Sequence, residues 1–170
     1  MAGIIKRMLL KGSCHCRAVR FSLRSETAYP YMWCYCSICR KTAGGGGYAI
    51  NIMGDARTLK VRGRANVAIY HARIDQPGSK RRTRSPGQRH FCGKCASALW
   101  IADPHWPEWV YPFASAIDTP LPKPVEDVEM MLKFAAPWAD VPAGRRHLHF
   151  DEYPVESIAD WHSKRRLTVD

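Results

Sequence analysis

The sequence predicts a mainly β chain of short strands and tight turns, with bound metal supplementing its core. Three observations predict this. Short stretches alternate apolar and polar residues, as at Val19, Phe21 and Leu23, and a period of two marks a strand with one buried face. Twelve prolines and twelve glycines punctuate the 170 residues, which favours turns over long helices. All seven cysteines fall in three tight clusters: Cys14-His-Cys16, Cys34-Tyr-Cys36-Ser-Ile-Cys39 and Cys92-Gly-Lys-Cys95. That is the spacing of metal ligands, and zinc is the metal it suits best.

The length suits one domain over residues 1–170. An odd cysteine count argues against a secreted disulfide scaffold, which pairs its thiols. The opening residues hold only a short apolar stretch, broken by Lys6 and Arg7. That is too short for a secretion signal or a membrane span. The expectation is therefore a cytoplasmic protein with reduced thiols and no membrane partner. The formal net charge is +11. Such a balance suits nucleic acid, an acidic partner or an anionic small molecule. It also suits a thiolate-bound zinc, whose excess negative charge Arg17, Arg20, Arg40, Lys41 and Lys94 would offset from beside the clusters.

Taken in order, residues 3–11 read as a leading strand or tail. A strand follows over residues 18–23. Cys14 and Cys16, two apart in an extended chain, can offer both sulfurs to one ion, while His15 points away. Residues 24–30 connect to the central cysteines, and residues 37–42 suit one short helical turn. Gly44, Gly45, Gly46 and Gly47 come next. Four glycines free the backbone for positive φ and for close approach to a ligand. Their N–H groups could hold a carboxylate.

Strands are expected at residues 48–53, 58–62 and 66–71. Residues 72–90 read as an exposed basic loop. Lys80, Arg81, Arg82 and Arg84 lie there without interleaved aromatic residues, so a solvated loop is favoured over a nucleic-acid surface. Cys92 and Cys95 form a knuckle, followed by a strand over residues 96–101. Another, over residues 108–114, is expected to be bent or placed at an edge by Pro112. A short strand or turn lies within 125–133. Residues 154–170 read as a C-terminal tail helix, with Val155, Ile158 and Trp161 at helical spacing.

A closed structural zinc takes four ligands, whereas a reactive zinc keeps three protein ligands and an open position. Seven cysteines divide into four and three. The two pairs Cys14/Cys16 and Cys92/Cys95 suit one ion between distant strands, and Cys34, Cys36 and Cys39 suit another locally. Two alternatives stay open. His15, His71, His90 or Asp55 could close the second site, or the central three could pack as buried thiols without metal.

Gly12-Ser-Cys14-His-Cys16, Cys34-Tyr-Cys36-Ser-Ile-Cys39-Arg-Lys41, Phe91-Cys92-Gly-Lys-Cys95 and Ala136-Pro-Trp138 together resemble the glutathione-dependent formaldehyde-activating enzyme family, which includes the centromere protein V group. The resemblance covers residues 11–153. It implies a mostly antiparallel β-tent with two zinc ions per chain. Cys14, Cys16, Cys92 and Cys95 would hold the structural ion, and Cys34, Cys36 and Cys39 the catalytic one. The implied activity joins formaldehyde reversibly to glutathione, a carbon–sulfur lyase reaction in reverse. Three features differ from the family's usual pattern. Ala96 stands where glycine is usual, Tyr35 stands where histidine is common, and the basic loop is longer. If position 96 is left-handed, alanine there costs on the order of 1 kcal/mol.

The first functional reading is thus a zinc-dependent lyase acting on a thiol–aldehyde adduct. Cys34, Cys36 and Cys39 would carry the chemistry. Gly44, Gly45, Gly46, Gly47 and Arg40 would bind a substrate carboxylate. Tyr48, His71 and His90 are the acid–base candidates. Three thiolates soften zinc, which suits a thiol ligand better than activated water. The alternative is a non-catalytic zinc-stabilised module that binds nucleic acid or an acidic partner.

Overall fold

The computed structural model describes residues 7–26, 29–75 and 78–166. In chain order, β1 (Met8–Ser13) and β2 (Arg20–Ser25) precede β3 (Tyr31–Cys34), α1 (Ser37–Ala43), β4 (Ala49–Asn51), β5 (Gly54–Asp55) and β6 (Lys60–Arg62). Then come β7 (Val67–Tyr70), β8 (Arg73–Asp75), β9 (Arg82–Arg84), β10 (Gln88–Cys92) and β11 (Ala98–Ala102). The remainder is β12 (Trp109–Pro112), β13 (Asp127–Met130), β14 (His147–His149) and α2 (Ile158–Lys164). The fold is mainly β, as the sequence predicts. The described residues form sheets in the orders β1-β2-β6, β5-β12-β11-β10-β7 and β14-β13-β3-β4, with a separate β8-β9 ribbon.

The first hairpin shows how sequence becomes packing. Leu10 pairs with Leu23, and Gly12 with Phe21. Leu10, Phe21 and Leu23 are buried while alternate neighbours face out, as period-two patterning requires. Gly12 admits no side chain, since a Cβ there would stand 2.4 Å from Phe21 Cζ. Phe21 meets Trp100 edge to face at 5.2 Å between ring centroids, an arrangement contributing about 1 kcal/mol beyond area burial.

Most pairings are antiparallel, but β13 runs parallel to both β3 and β14. All four residues of β13 are buried. Residues with both faces covered are the mark of a strand placed inside a sheet.

Two cores result. One gathers Leu10, Val19, Phe21, Leu23 and Trp100 around Cys14 and Cys92. The other gathers Met32, Phe113, Val128 and Met130 around Cys34 and Cys39. The β10–β11–β12 wall stands between them. Leu99, Trp100 and Val110 belong to the first core, while Ala98 and Ile101 pack against the second.

Three local expectations come out differently. Within the expected loop over residues 72–90, β8 and β9 are exposed but pair as a ribbon, with Arg73 opposite Arg84, while Ala72 is buried, residues 88–90 belong to β10, and residues 76–77 lie outside the described residues. The ribbon's charge hid a strand pairing that needs no apolar face. Pro112 does not sit on an edge strand; β12 lies between β5 and β11. Pro112 ends that strand, and its carbonyl accepts from Ile52 N at 2.9 Å. The tail helix starts only at Ile158, after Ser157 Oγ accepts from Asp160 N at 3.0 Å. Such a cap fixes the first turn. Val155 therefore lies outside the helix and is fully exposed, whereas Trp161 is buried. Residues 3–6 of the expected leading strand and residues 167–170 of the expected tail helix lie outside the described residues.

Candidate metal centres

Two backbone turns build the four-cysteine group. In the turn between β1 and β2, Arg17 N donates to Cys14 O at 2.9 Å, and Val19 N donates to Cys14 Sγ at 3.2 Å. In the turn between β10 and β11, Ala96 N donates to Cys92 O at 2.8 Å, and Lys94 N donates to Cys92 Sγ at 3.4 Å. Each turn closes on a left-handed residue directly after its second cysteine: Arg17 at φ 58° and Ala96 at φ 59°. The condition attached to Ala96 is therefore met.

A cross-link holds the turns together, since His15 N donates to Ser97 Oγ at 3.1 Å. Cys14 Sγ lies 3.5 Å from Cys16 Sγ, and Cys16 Sγ lies 3.8 Å from Cys92 Sγ. Zinc–sulfur bonds of about 2.3 Å in a tetrahedron place sulfurs about 3.8 Å apart. The donor set and its spacing therefore fit a zinc ion. The Cys95 thiol is pushed down to about 5, first by its hydrogen bond with Ser97 Oγ, 3.2 Å away.

The three-cysteine group sits where β3 becomes α1. Cys34 ends β3, paired with Ala49 on one side and Met130 on the other. Cys36 caps α1, its Sγ accepting from Cys39 N at 3.3 Å. Cys39 is buried in α1. Tyr35, between the first two, is fully buried. Its N–H donates to Met130 O at 3.0 Å and its hydroxyl to Asp140 O at 3.1 Å. It thus pins the strand-to-helix turn. All three sulfurs lie within 4.8 Å of one another.

Crowding redistributes their protons. Cys36 is pushed down to about 2, first by hydrogen bonding from Cys34 and then from Cys39. Cys34 is pushed up, first as the hydrogen-bond partner of Cys36. Three sulfurs held this close form a group that, once deprotonated, a cation would stabilise. Among the described residues, no histidine or carboxylate joins either cysteine group. His15 is exposed, and Asp55 instead accepts from Arg57 N at 3.0 Å.

The glycines divide in two. A Cβ on Gly44 would stand 1.8 Å from Tyr48 O, and Gly47 holds φ 93° against Ala139 and Trp138. These two shape the return from α1 to β4. Gly45 and Gly46 are exposed. Arg40 has a buried Nε without a partner. A polar cleft of about 540 Å³ opens beside the end of α1, lined by Thr42, Ala43, Ser13, His15, Arg17 and Ser97 among others.

Of the acid–base candidates, Tyr48 stacks on Trp33 at 4.5 Å and faces Tyr35 at 5.3 Å. His90 instead stacks on Trp100 at 4.9 Å, on the side of the first core. His71 Nδ1 lies 3.0 Å from Ser85 O.

Two residues near the trio were not singled out from the sequence. Arg89 Nη2 donates to Cys39 Sγ at 3.8 Å. The Tyr153 phenol is pushed up, first by partial loss of surrounding water and then by the charges of Cys34, Cys36 and Cys39, although the residue as a whole is 70% exposed. The position of Arg89 on a strand leading into Cys92 was a usable signal. Nothing in the local sequence points to Tyr153.

Fold and sulfur geometry define a cysteine-rich, mainly β protein with two clusters able to hold a metal ion. The chain belongs to the glutathione-dependent formaldehyde-activating enzyme family, whose model matches residues 9–129. A relative from Halomonas elongata, provisionally named a glutathione-dependent formaldehyde-activating enzyme, is 56% identical over 160 residues. That match covers 94% of this chain and 98% of the relative. The crystal structure of a Rhodobacter sphaeroides protein is 24% identical with a TM-score of 0.50, covering 66% of this chain and 91% of that one. It is evidence for the fold alone. No helix among the described residues is long and apolar enough to cross a membrane.

Proposed function

We propose that this chain is a zinc-dependent carbon–sulfur lyase that makes and breaks the adduct of formaldehyde and glutathione, S-hydroxymethylglutathione. The observation that carries this reading is the grouping of Cys34, Cys36 and Cys39 without a fourth protein ligand among the described residues. The family and the Halomonas relative support the choice of thiol and aldehyde.

In this reading Cys14, Cys16, Cys92 and Cys95 hold one zinc for structure, and Cys34, Cys36 and Cys39 hold the second. When bound there, zinc supplies Lewis acidity and favours thiolate over thiol at the open position. Three thiolates make a soft site, suited to glutathione sulfur. In the forward direction the thiol sulfur forms a bond to the aldehyde carbon. The thiol proton is released and the new alkoxide oxygen gains a proton, so the reaction needs no oxidant. Tyr48, whose ring lies 5.3 Å from that of Tyr35, is the acid–base candidate kept in this reading. Gly45 and Gly46 present free backbone to a glutathione carboxylate, with Arg40 adding positive charge next to Cys39.

The test is exchange between isotope-labelled formaldehyde and glutathione, followed by magnetisation-transfer NMR on protein loaded with two zinc ions. Catalysed interconversion above the spontaneous rate is the expected result. Loaded protein that leaves the rate unchanged would sink the reading.

A further inference from the structure

The wall between the two cores carries an arginine that the proposed chemistry does not use. Arg89 belongs to β10, the strand that also carries Cys92. It pairs with Tyr70 on one side and Ile101 on the other. Ile101 packs against the second core, and residues paired across a sheet share a face. Arg89 therefore leans toward the trio while its neighbour His90 stacks on Trp100 in the first core. Its Nη2 meets Cys39 Sγ at 3.8 Å, and its Nε is buried without a partner. Cys34 and Cys39 are only 4% and 3% exposed.

Three thiolates around a divalent ion leave one net negative charge. In a site this dry, an unbalanced charge is expensive. A guanidinium beside one sulfur offsets it, and its N–H fixes that sulfur's direction.

We propose that Arg89 is the positioning residue of the three-cysteine site, donating to Cys39 Sγ and supplying the countercharge that lets three thiolates retain a divalent metal with one position open. This rests on the reading that the trio holds metal.

The test uses full-length protein loaded with zinc, and follows metal transfer to a chromophoric chelator. Wild type should release two ions in separate phases. Arg89→Met, which keeps length but loses charge and donor, should release one ion at least tenfold faster, the scale expected for an outer-shell partner. The slower phase and the circular dichroism spectrum should not change. Arg89→Lys, which restores charge, should recover part of the retention. Arg89→Gln replaces Arg89→Met if the latter does not fold. Unchanged release in the charge-free variant overturns the role of Arg89 alone. Equal losses in the Lys and Met variants also overturn it, because charge would then not matter. A wild type that binds one ion overturns the metal reading of the trio, and this inference with it.

Discussion

Cys16 Sγ and Cys92 Sγ stand 3.8 Å apart, although 76 residues separate them in the chain. The quartet thus joins the first hairpin to the five-stranded sheet. Structural zinc binding contributes on the order of 10 kcal/mol, comparable to the whole stability of a domain, about 5–15 kcal/mol. We predict that Cys92→Ser, at a fully buried position, abolishes cooperative folding, and that a strong chelator does the same to the native chain. Circular dichroism melts check both. A metal-stripped chain that still melts cooperatively at the native temperature would refute a scaffolding role.

At the trio, Cys36→Ser should behave differently. Cys36 is only partly buried and serves as the cap of α1. Serine is itself a good cap, so the helix start survives. The expected protein is folded, holds one zinc instead of two, and interconverts the adduct no faster than buffer does. Elemental analysis and the NMR exchange assay read these separately. Retained turnover with one ion would remove the trio from the chemistry.

Glycines 44 and 45 are adjacent but face opposite demands. A Cβ at Gly44 would stand 1.8 Å from the Tyr48 carbonyl oxygen, while at Gly45 nothing lies within 4 Å. Gly44→Ala must move backbone, so we predict a loss of about 2 kcal/mol, within the range for overpacking. Gly45→Ala should stay within about 0.5 kcal/mol of wild type. Urea midpoints compare the pair, and equal midpoints would contradict the close approach.

Ala96 holds φ 59°. Left-handed backbone costs a non-glycine residue about 1–2 kcal/mol. Glycine would relieve this but gain about 0.4–1 kcal/mol of unfolded-chain freedom. The difference favours Ala96→Gly by roughly 0.5 kcal/mol. A urea midpoint at or below that of wild type would show the turn is not strained.

The Trp161 side chain anchors α2. It is 3% exposed, its Nε1 donates to Glu126 Oε2 at 3.1 Å, and it meets Tyr29 edge to face at 6.0 Å. Trp161→Ala should destabilise by about 3 kcal/mol and open the tail to protease. Cleavage at the wild-type rate, with an unchanged melt, would mean the helix is not held by this contact.

Much of the clustering was legible because cysteines able to share a metal ion sit at short, regular spacing. Cys14/Cys16 with Cys92/Cys95, and Cys34/Cys36/Cys39 apart, form the two clusters that pairing arithmetic suggested. The β2 stretch was legible because Phe21 and Leu23 alternate with polar residues. The β8–β9 ribbon was not, since Arg73, Ile74, Asp75 and their partners are all exposed and no buried face imposed a pattern. The parallel placement of β13 was also hidden. Which strand it joins depends on the frame around Met32 and Leu148, not on its own residues. Arg89 escaped notice because its partner, Cys39, lies 50 positions away.

The Cys34 strand leans on Met130 through a parallel pairing, and Tyr35 donates to that residue's carbonyl. A growing chain emerges from the ribosome in sequence order, so the central thiols leave the tunnel long before their supporting strand is made. Contacts between such distant segments form late. Through that interval these sulfurs meet solvent oxidants without their final shelter. Nascent chains should therefore be far more sensitive to peroxide than finished ones.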